Sequence, residues 1–171
     1  MKIIKIIPVA TFVIMSSAHS VDGNINFTGE ITANTCSINS GQTDKTINMG
    51  SVPASALQTK GQIAGSQNFT LSLKGCTGGA TAVAAHFESL VSATPEGRLK
   101  LDGTSTAKNV EIAIYDNNGV AQPVNGIVPS QSYVNLVSGE AELNYVAAYY
   151  AVGAAGVGTA NSTVSYSLSY Q

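Results

Sequence analysis

Beyond residue 20, apolar or aromatic residues recur at every second position in nearly every stretch of the chain, and the breaks between stretches are rich in Gly, Asn, Asp, Ser and Thr. Such alternation puts one side of an extended segment in a core and the other in water, so it specifies strands rather than helices. Strands are expected near residues 23–39, 46–50, 67–75, 81–88, 97–102, 109–116, 119–124, 131–138, 142–152 and 161–170. Val110, Ile112 and Ile114 give the clearest alternation, followed by Asp116-Asn117-Asn118-Gly119, where Asn-Gly supplies the positive φ angles of a tight hairpin. Helical signals are weak: Ser55–Thr59 suits a single turn, and the alanine-rich Ala80–Ala85 is interrupted by Thr81 and Val83. The Ala/Gly-rich run Ala151–Gly158 reads as a loop or bulge between strands. The fold class is therefore all-β, a sandwich of two sheets similar to the immunoglobulin architecture. The absence of tryptophan argues against an antibody-type domain.

The first twenty residues follow another rule. Lys2 and Lys5 precede an apolar run from Ile6 to Met15, then Ser16, Ser17, Ala18 and Ser20. This is the layout of a secretory signal peptide, cleaved after Ser20 or, alternatively, after Ala18. The run is too short to span a bilayer, and no later apolar stretch approaches the roughly 20 residues a membrane helix needs. Residues 1–20 are thus a signal peptide, and one domain is expected from about Val21 to Gln171. Removing the leader takes away two lysines and no acid, moving the formal charge from −2 to about −4. With only 11% charged residues and no basic patch, the chain does not suit nucleic-acid binding.

Export brings Cys36 and Cys76 into an oxidising compartment, where a disulfide is the default. A metal site or a nucleophilic thiol is the alternative, but His86 is the one histidine left after cleavage and the ligand set is thin. His86 lies on an expected strand without a partner nucleophile, and Glu140 and Glu142 read as a solvated edge rather than an acid/base pair. The glycine-rich pieces lack the Gly-Lys-Ser/Thr of a phosphate cradle. No enzyme, cofactor or metal is expected.

The two ends of the exported chain carry the sharpest patterns. Val21, Gly23, Ile25, Phe27 and Gly29 alternate with polar residues, and Val164, Tyr166, Leu168 and Tyr170 alternate with serines up to Gln171. A strand patterned for burial up to the penultimate residue is unusual, because termini fray. The segment Gly23-Asn-Ile25-Asn-Phe27-Thr-Gly29-Glu-Ile31-Thr-Ala-Asn-Thr-Cys36 resembles the start of chaperone-usher pilins, most of all major subunits of type 1-like fimbriae. Cys76, after Phe69-Thr-Leu71-Ser-Leu73-Lys-Gly75, falls at that family's disulfide distance. The tyrosine-rich stretch around Leu143-Asn-Tyr145 and Tyr149-Tyr150 is similar to its penultimate strand. Gly158, fourteenth from the end, and the penultimate Tyr170 occupy positions the family uses.

The resemblance implies that residues 21–30 are an N-terminal donor-strand extension and 31–171 an incomplete immunoglobulin-like β-sandwich, completed by a donor strand from a neighbouring subunit. It implies a groove beside the last strand, formed with Gly158, Val164, Tyr166, Leu168 and Tyr170. A periplasmic chaperone would fill this groove and hold the carboxylate of Gln171. At an outer-membrane usher, Val21, Ile25 and Phe27 of the next identical or related subunit would replace the chaperone, with Gly23 placed where a side chain would clash. The product would be a head-to-tail fimbria on the bacterial surface. A minor adaptor pilin, or a secreted carbohydrate-binding β-sandwich that uses its tyrosines, is the alternative.

Overall fold

In the computed structural model the described residues are 35–38 and 44–171, with Asn26, Thr28, Ile31 and Ala33 before them. Residues 1–25, with the leader and most of the expected donor segment, lie outside the described residues, as do Phe27 and Gly29. The fold below is that of the compact unit Thr32–Gln171.

Eight strands are present: β1 (Thr35–Ile38), β2 (Ile63–Thr77), β3 (Ala82–Glu88), β4 (Leu99–Lys100), β5 (Lys108–Asp116), β6 (Val134–Asn135), β7 (Ala141–Gly156) and β8 (Ser165–Tyr170). They form a five-stranded sheet in the order β1-β2-β7-β5-β4 and a three-stranded sheet in the order β6-β3-β8. Every ladder is antiparallel. The alternation in sequence becomes the core: Leu71 and Leu73 of β2, Ile112 and Ile114 of β5, and Leu143, Tyr145 and Ala147 of β7 face Val83, Ala85 and Phe87 of β3. Phe87 meets Tyr145 edge-on at 5.1 Å between ring centres, a favoured geometry for aromatic pairs. The Tyr145 hydroxyl also accepts a hydrogen bond from the Ala85 N–H at 2.9 Å. The two residues of β6 pair only with Ala82 and Val83, so the phenol serves a donor that the ladder does not reach.

Four expectations are corrected. Residues 46–50 form no strand: Asn48 Oδ1 accepts from the Gly50 N–H at 2.9 Å, a local bond that competes with a ladder. Their alternation still turns Ile47 and Met49 inward. The return after Gly119 is a bridge between Tyr115 and Ala121 and not a strand, because Gln122 turns inward to Ser132 and Pro123 follows. Only Gly119 of the Asn-Gly pair has positive φ, while Asp116 Oδ1 accepts from the Asn118 and Val120 N–H groups and fixes the turn. The segment 131–138 keeps two strand residues, its start drawn into a 3-10 turn (Ser130–Ser132) where Ser132 Oγ donates to Asp116 Oδ2.

The Ala/Gly-rich run is not a loop: β7 continues through Gly156, with Ala151 fully buried opposite Val110. The bulge expected in this run is present: residues 152–155 of β7 lie opposite Asn109 alone, between the pairs Val110–Ala151 and Lys108–Gly156. Asn109 has φ +58°, and its side-chain amide donates to the Ala154 carbonyl inside the bulge. The expected helical turn at 55–59 is a 3-10 turn over Ala54–Leu57, seated by the buried Leu57.

Candidate functional site: the outer edge of the last strand

In β8 the serines at 165 and 167 are exposed, while Tyr166, Leu168 and Tyr170, with Val164 before them, are half-buried against the core. One edge of β8 pairs with β3, Tyr166 opposite Phe87, Leu168 opposite Ala85 and Tyr170 opposite Val83. Among the described residues no strand pairs with its other edge. An end strand with an apolar face half-covered is a template for another strand.

One contact and two further observations bear on what lies across from that edge. The Cys36 N–H of β1 donates to the Tyr170 hydroxyl at 3.0 Å. The Asp44 carboxylate acts on the Tyr166 phenol, raising its pKa after the larger effect of burial. Gly50, Val52 and Leu57 share with Tyr149, Gly158 and Ala160 the lining of a cavity of about 330 Å³. Of the described residues, Ile38, Met49 and Val52 are half-buried against the same core. No backbone hydrogen bond joins the described residues 36–38 and 44–52 to β8. These residues and β8 line the same core as two walls.

Each wall is held from behind. Cys36 and Cys76 are disulfide-bonded, and β1 pairs with the end of β2, Thr35 opposite Thr77. On the other side, the Tyr133 and Ser169 hydroxyls lie 2.7 Å apart. Pairing with β3 runs one residue past β8: Gln171 and Ala82 exchange both backbone bonds, at 2.9 and 3.0 Å, and the Thr81 N–H also donates to Gln171 O at 2.6 Å. This ties down an end that would otherwise fray. Gly158 has φ +152°, and a Cβ on it would overlap the backbone at Thr106 and Ala107. That position admits only glycine, for both conformation and space.

Sequence reasoning placed Val164, Tyr166, Leu168 and Tyr170 on one face, and the structure brings them together. It missed the opposite wall. Ile38, Met49 and Val52 lie on a stretch whose period-two signal is short, and their role comes from the neighbouring strand rather than from local pattern.

Elsewhere the side chains have structural partners. His86 Nε2 lies 2.9 Å from the Gly126 carbonyl and Nδ1 lies 3.1 Å from Glu88. Arg98 pairs with Glu111 at 2.6 Å and stacks on the Tyr150 ring. Glu140 and Glu142 are exposed. Among the described residues no group of His, Cys, Asp and Glu is arranged to hold a metal, and no helix is long and apolar enough to cross a membrane.

Comparison with known proteins agrees with this geometry. Residues 25–171 match the family described as Fimbrial protein. The F17 fimbrial protein of Escherichia coli is 32% identical over 164 residues, covering 91% of each chain. The major fimbrial subunit SMF-1 of Stenotrophomonas maltophilia is 33% identical over 163 residues, covering 90% of this chain and 95% of the relative. The crystal structure of the P pilus rod subunit PapA superposes with a TM-score of 0.61 at 22% identity, covering 80% of this chain and 99% of that one, a likeness of fold. The half-covered last strand thus belongs to an incomplete immunoglobulin-like sandwich, and the chain is a member of the fimbrial protein family.

Proposed function

We propose that this chain is the major structural subunit of an extracellular fimbria, exported through the periplasm and polymerised by donor-strand exchange. The observation that carries the reading is β8 at the end of the three-stranded sheet, with a row of apolar side chains, Val164, Tyr166, Leu168 and Tyr170, only half-buried against the core. Similarity to subunits named as major over nine-tenths of the chain supports the rank. Residues 21–30 act as donor, with Val21, Ile25 and Phe27 entering the groove of a neighbour and Gly23 at the crowded position. Burying each of the three large side chains contributes about 1.5–3 kcal/mol, from which the ordering of the extension subtracts. Main-chain bonds supply the rest, and the alternation fixes which face turns inward.

Before assembly a periplasmic chaperone occupies the groove, and its basic side chains hold the Gln171 carboxylate. An outer-membrane usher is where the next subunit displaces it. A donor at one end and an acceptor at the other make a heterologous contact that does not close, so the product is a filament. The role is mechanical rather than enzymatic: the disulfide leaves no thiol between Cys36 and Cys76, and His86 is committed to Gly126 and Glu88.

The test is displacement. A synthetic peptide of residues 21–29, added to the purified chaperone–subunit complex, is expected to release the chaperone and remain on the subunit, whereas a scrambled peptide leaves the complex intact. Equal behaviour of the two peptides would contradict donor-strand exchange.

A further inference from the structure

Two Asn-Gly pairs lie among the described residues, Asn118-Gly119 and Asn125-Gly126, both outside the groove walls. Asparagine before glycine is a chemically labile pair, because the glycine nitrogen can attack the asparagine side-chain carbonyl carbon and no Cβ on the glycine hinders the approach. The two pairs share a dipeptide but not a setting.

Asn125 is clamped. Its side-chain oxygen accepts from the Ser89 N–H at 2.9 Å, and its amide nitrogen donates to the Ser89 carbonyl at 2.7 Å. Its backbone N–H donates to the Phe87 carbonyl at 2.9 Å. Gly126 beside it is crowded, since a Cβ there would lie 2.7 Å from both Cβ and Cγ of Pro123. Asn118 has neither restraint: its side chain is exposed and, among the described residues, takes no hydrogen bond. No atom lies within 4 Å of where a Cβ on Gly119 would stand. The attacking nitrogens themselves start alike, the Gly119 N–H donating to the Asp116 carbonyl at 3.0 Å and the Gly126 N–H to the Pro123 carbonyl at 3.2 Å. The difference lies in the side chain and in the space for the ring that must form.

We propose that Asn118 is a site of spontaneous deamidation in the folded chain, and that the clamp on Ser89 spares Asn125. The Gly119 nitrogen forms a bond to the Asn118 side-chain carbonyl carbon. The side-chain nitrogen leaves as ammonia with the Gly119 proton, and a cyclic imide remains. Water then adds to one of the two imide carbonyls and a C–N bond breaks, giving aspartate or isoaspartate at position 118. Nothing is oxidised or reduced, and water is the one co-reactant. Each event adds one negative charge to the turn that Asp116 anchors. Isoaspartate also lengthens the backbone between the Asn118 and Val120 N–H groups, both of which Asp116 Oδ1 holds. The exported chain thus gains charge with age at one defined turn.

Peptide mapping of the full exported chain tests this. The chain is stored folded at neutral and mildly alkaline pH, and a second sample is stored reduced in urea. Chymotryptic cleavage after Tyr115 and Tyr133 releases both pairs in one peptide, in which tandem mass spectrometry places each new acid at 118 or 125. In the folded chain Asn118 is expected to convert about tenfold or more faster than Asn125, whose two side-chain hydrogen bonds must open before attack. In urea the two are expected to convert at similar rates. Asn118→Gln, whose longer side chain closes a ring far more slowly, is expected to remove the acidic form that isoelectric focusing shows on storage. An Asn118 that keeps its amide in the folded chain while losing it in urea would overturn the proposal, as would an acidic form that persists in Asn118→Gln. Equal conversion of both asparagines in the folded chain would overturn the role of the clamp.

Discussion

Single residues decide whether this sandwich closes around its core and leaves the right space open. Gly158 sits at the mouth of the cavity with φ +152° and with the Thr106–Ala107 backbone where a side chain would begin. Gly158→Ala is expected to cost about 2–4 kcal/mol, combining overpacking with backbone strain, as read from denaturant unfolding of the assembled subunit. The tyrosines give a second residue-level expectation. Burial raises the pKa values of Tyr145, Tyr149, Tyr115 and Tyr166 above the ordinary 10.0, with the Ala85 N–H partly opposing the rise at Tyr145. The fold favours the neutral phenol, so this contribution is complete below pH 10 and disappears as pH climbs through the raised folded values. Thermal stability should therefore be insensitive to phenol ionisation near neutrality and drop steeply above pH 10, as scanning calorimetry in alkaline buffers would register. A gain in stability above pH 10 would contradict it.

At the scale of elements, the disulfide between β1 and β2 matters most to the groove, because the short β1 carries Cys36 and one wall. The bridge closes a loop across a separation of 40 residues, for which loop-closure entropy gives about 4 kcal/mol. Replacing both cysteines by serine is expected to lower stability by about that amount and to weaken chaperone capture, measured by unfolding and by co-purification. Unchanged stability would show that β1 holds its place without the bridge. Elements were also where local pattern and structure parted. The strands β2, β3, β5, β7 and β8 were legible because apolar residues recur by twos along each, although Ala82–Ala85 of β3 and the middle of β5 and β7 are buried on both faces. Residues 119–124 and 131–138 carry the same pattern, but the buried trio Asp116, Gln122 and Ser132 bends them into turns. Pairings among polar side chains 10 and 16 residues apart leave no periodic signal. The Ala/Gly-rich run was legible as a bulge, which it carries between Ala151 and Gly156, but its small residues hid the strand that continues through it.

At the scale of the molecule, what was visible in sequence was the alternation at both ends, that of the proposed donor segment and that of β8, of which the structure describes the second. The opposite wall was not visible, since Ile38, Met49 and Val52 become a wall only when the fold sets them beside β8. The described residues hold a formed core and, at the end of the three-stranded sheet, β8 with its apolar side chains half-buried, the place at which the proposed donor of another subunit would add. The direct measurement is to prepare the exported chain with its chaperone, with and without residues 21–29, and size both under non-reducing conditions without boiling. The account predicts a ladder of multimers from the full chain and a one-to-one chaperone complex from the truncated one. Two stable free monomers, or ladders that survive the truncation, would contradict it.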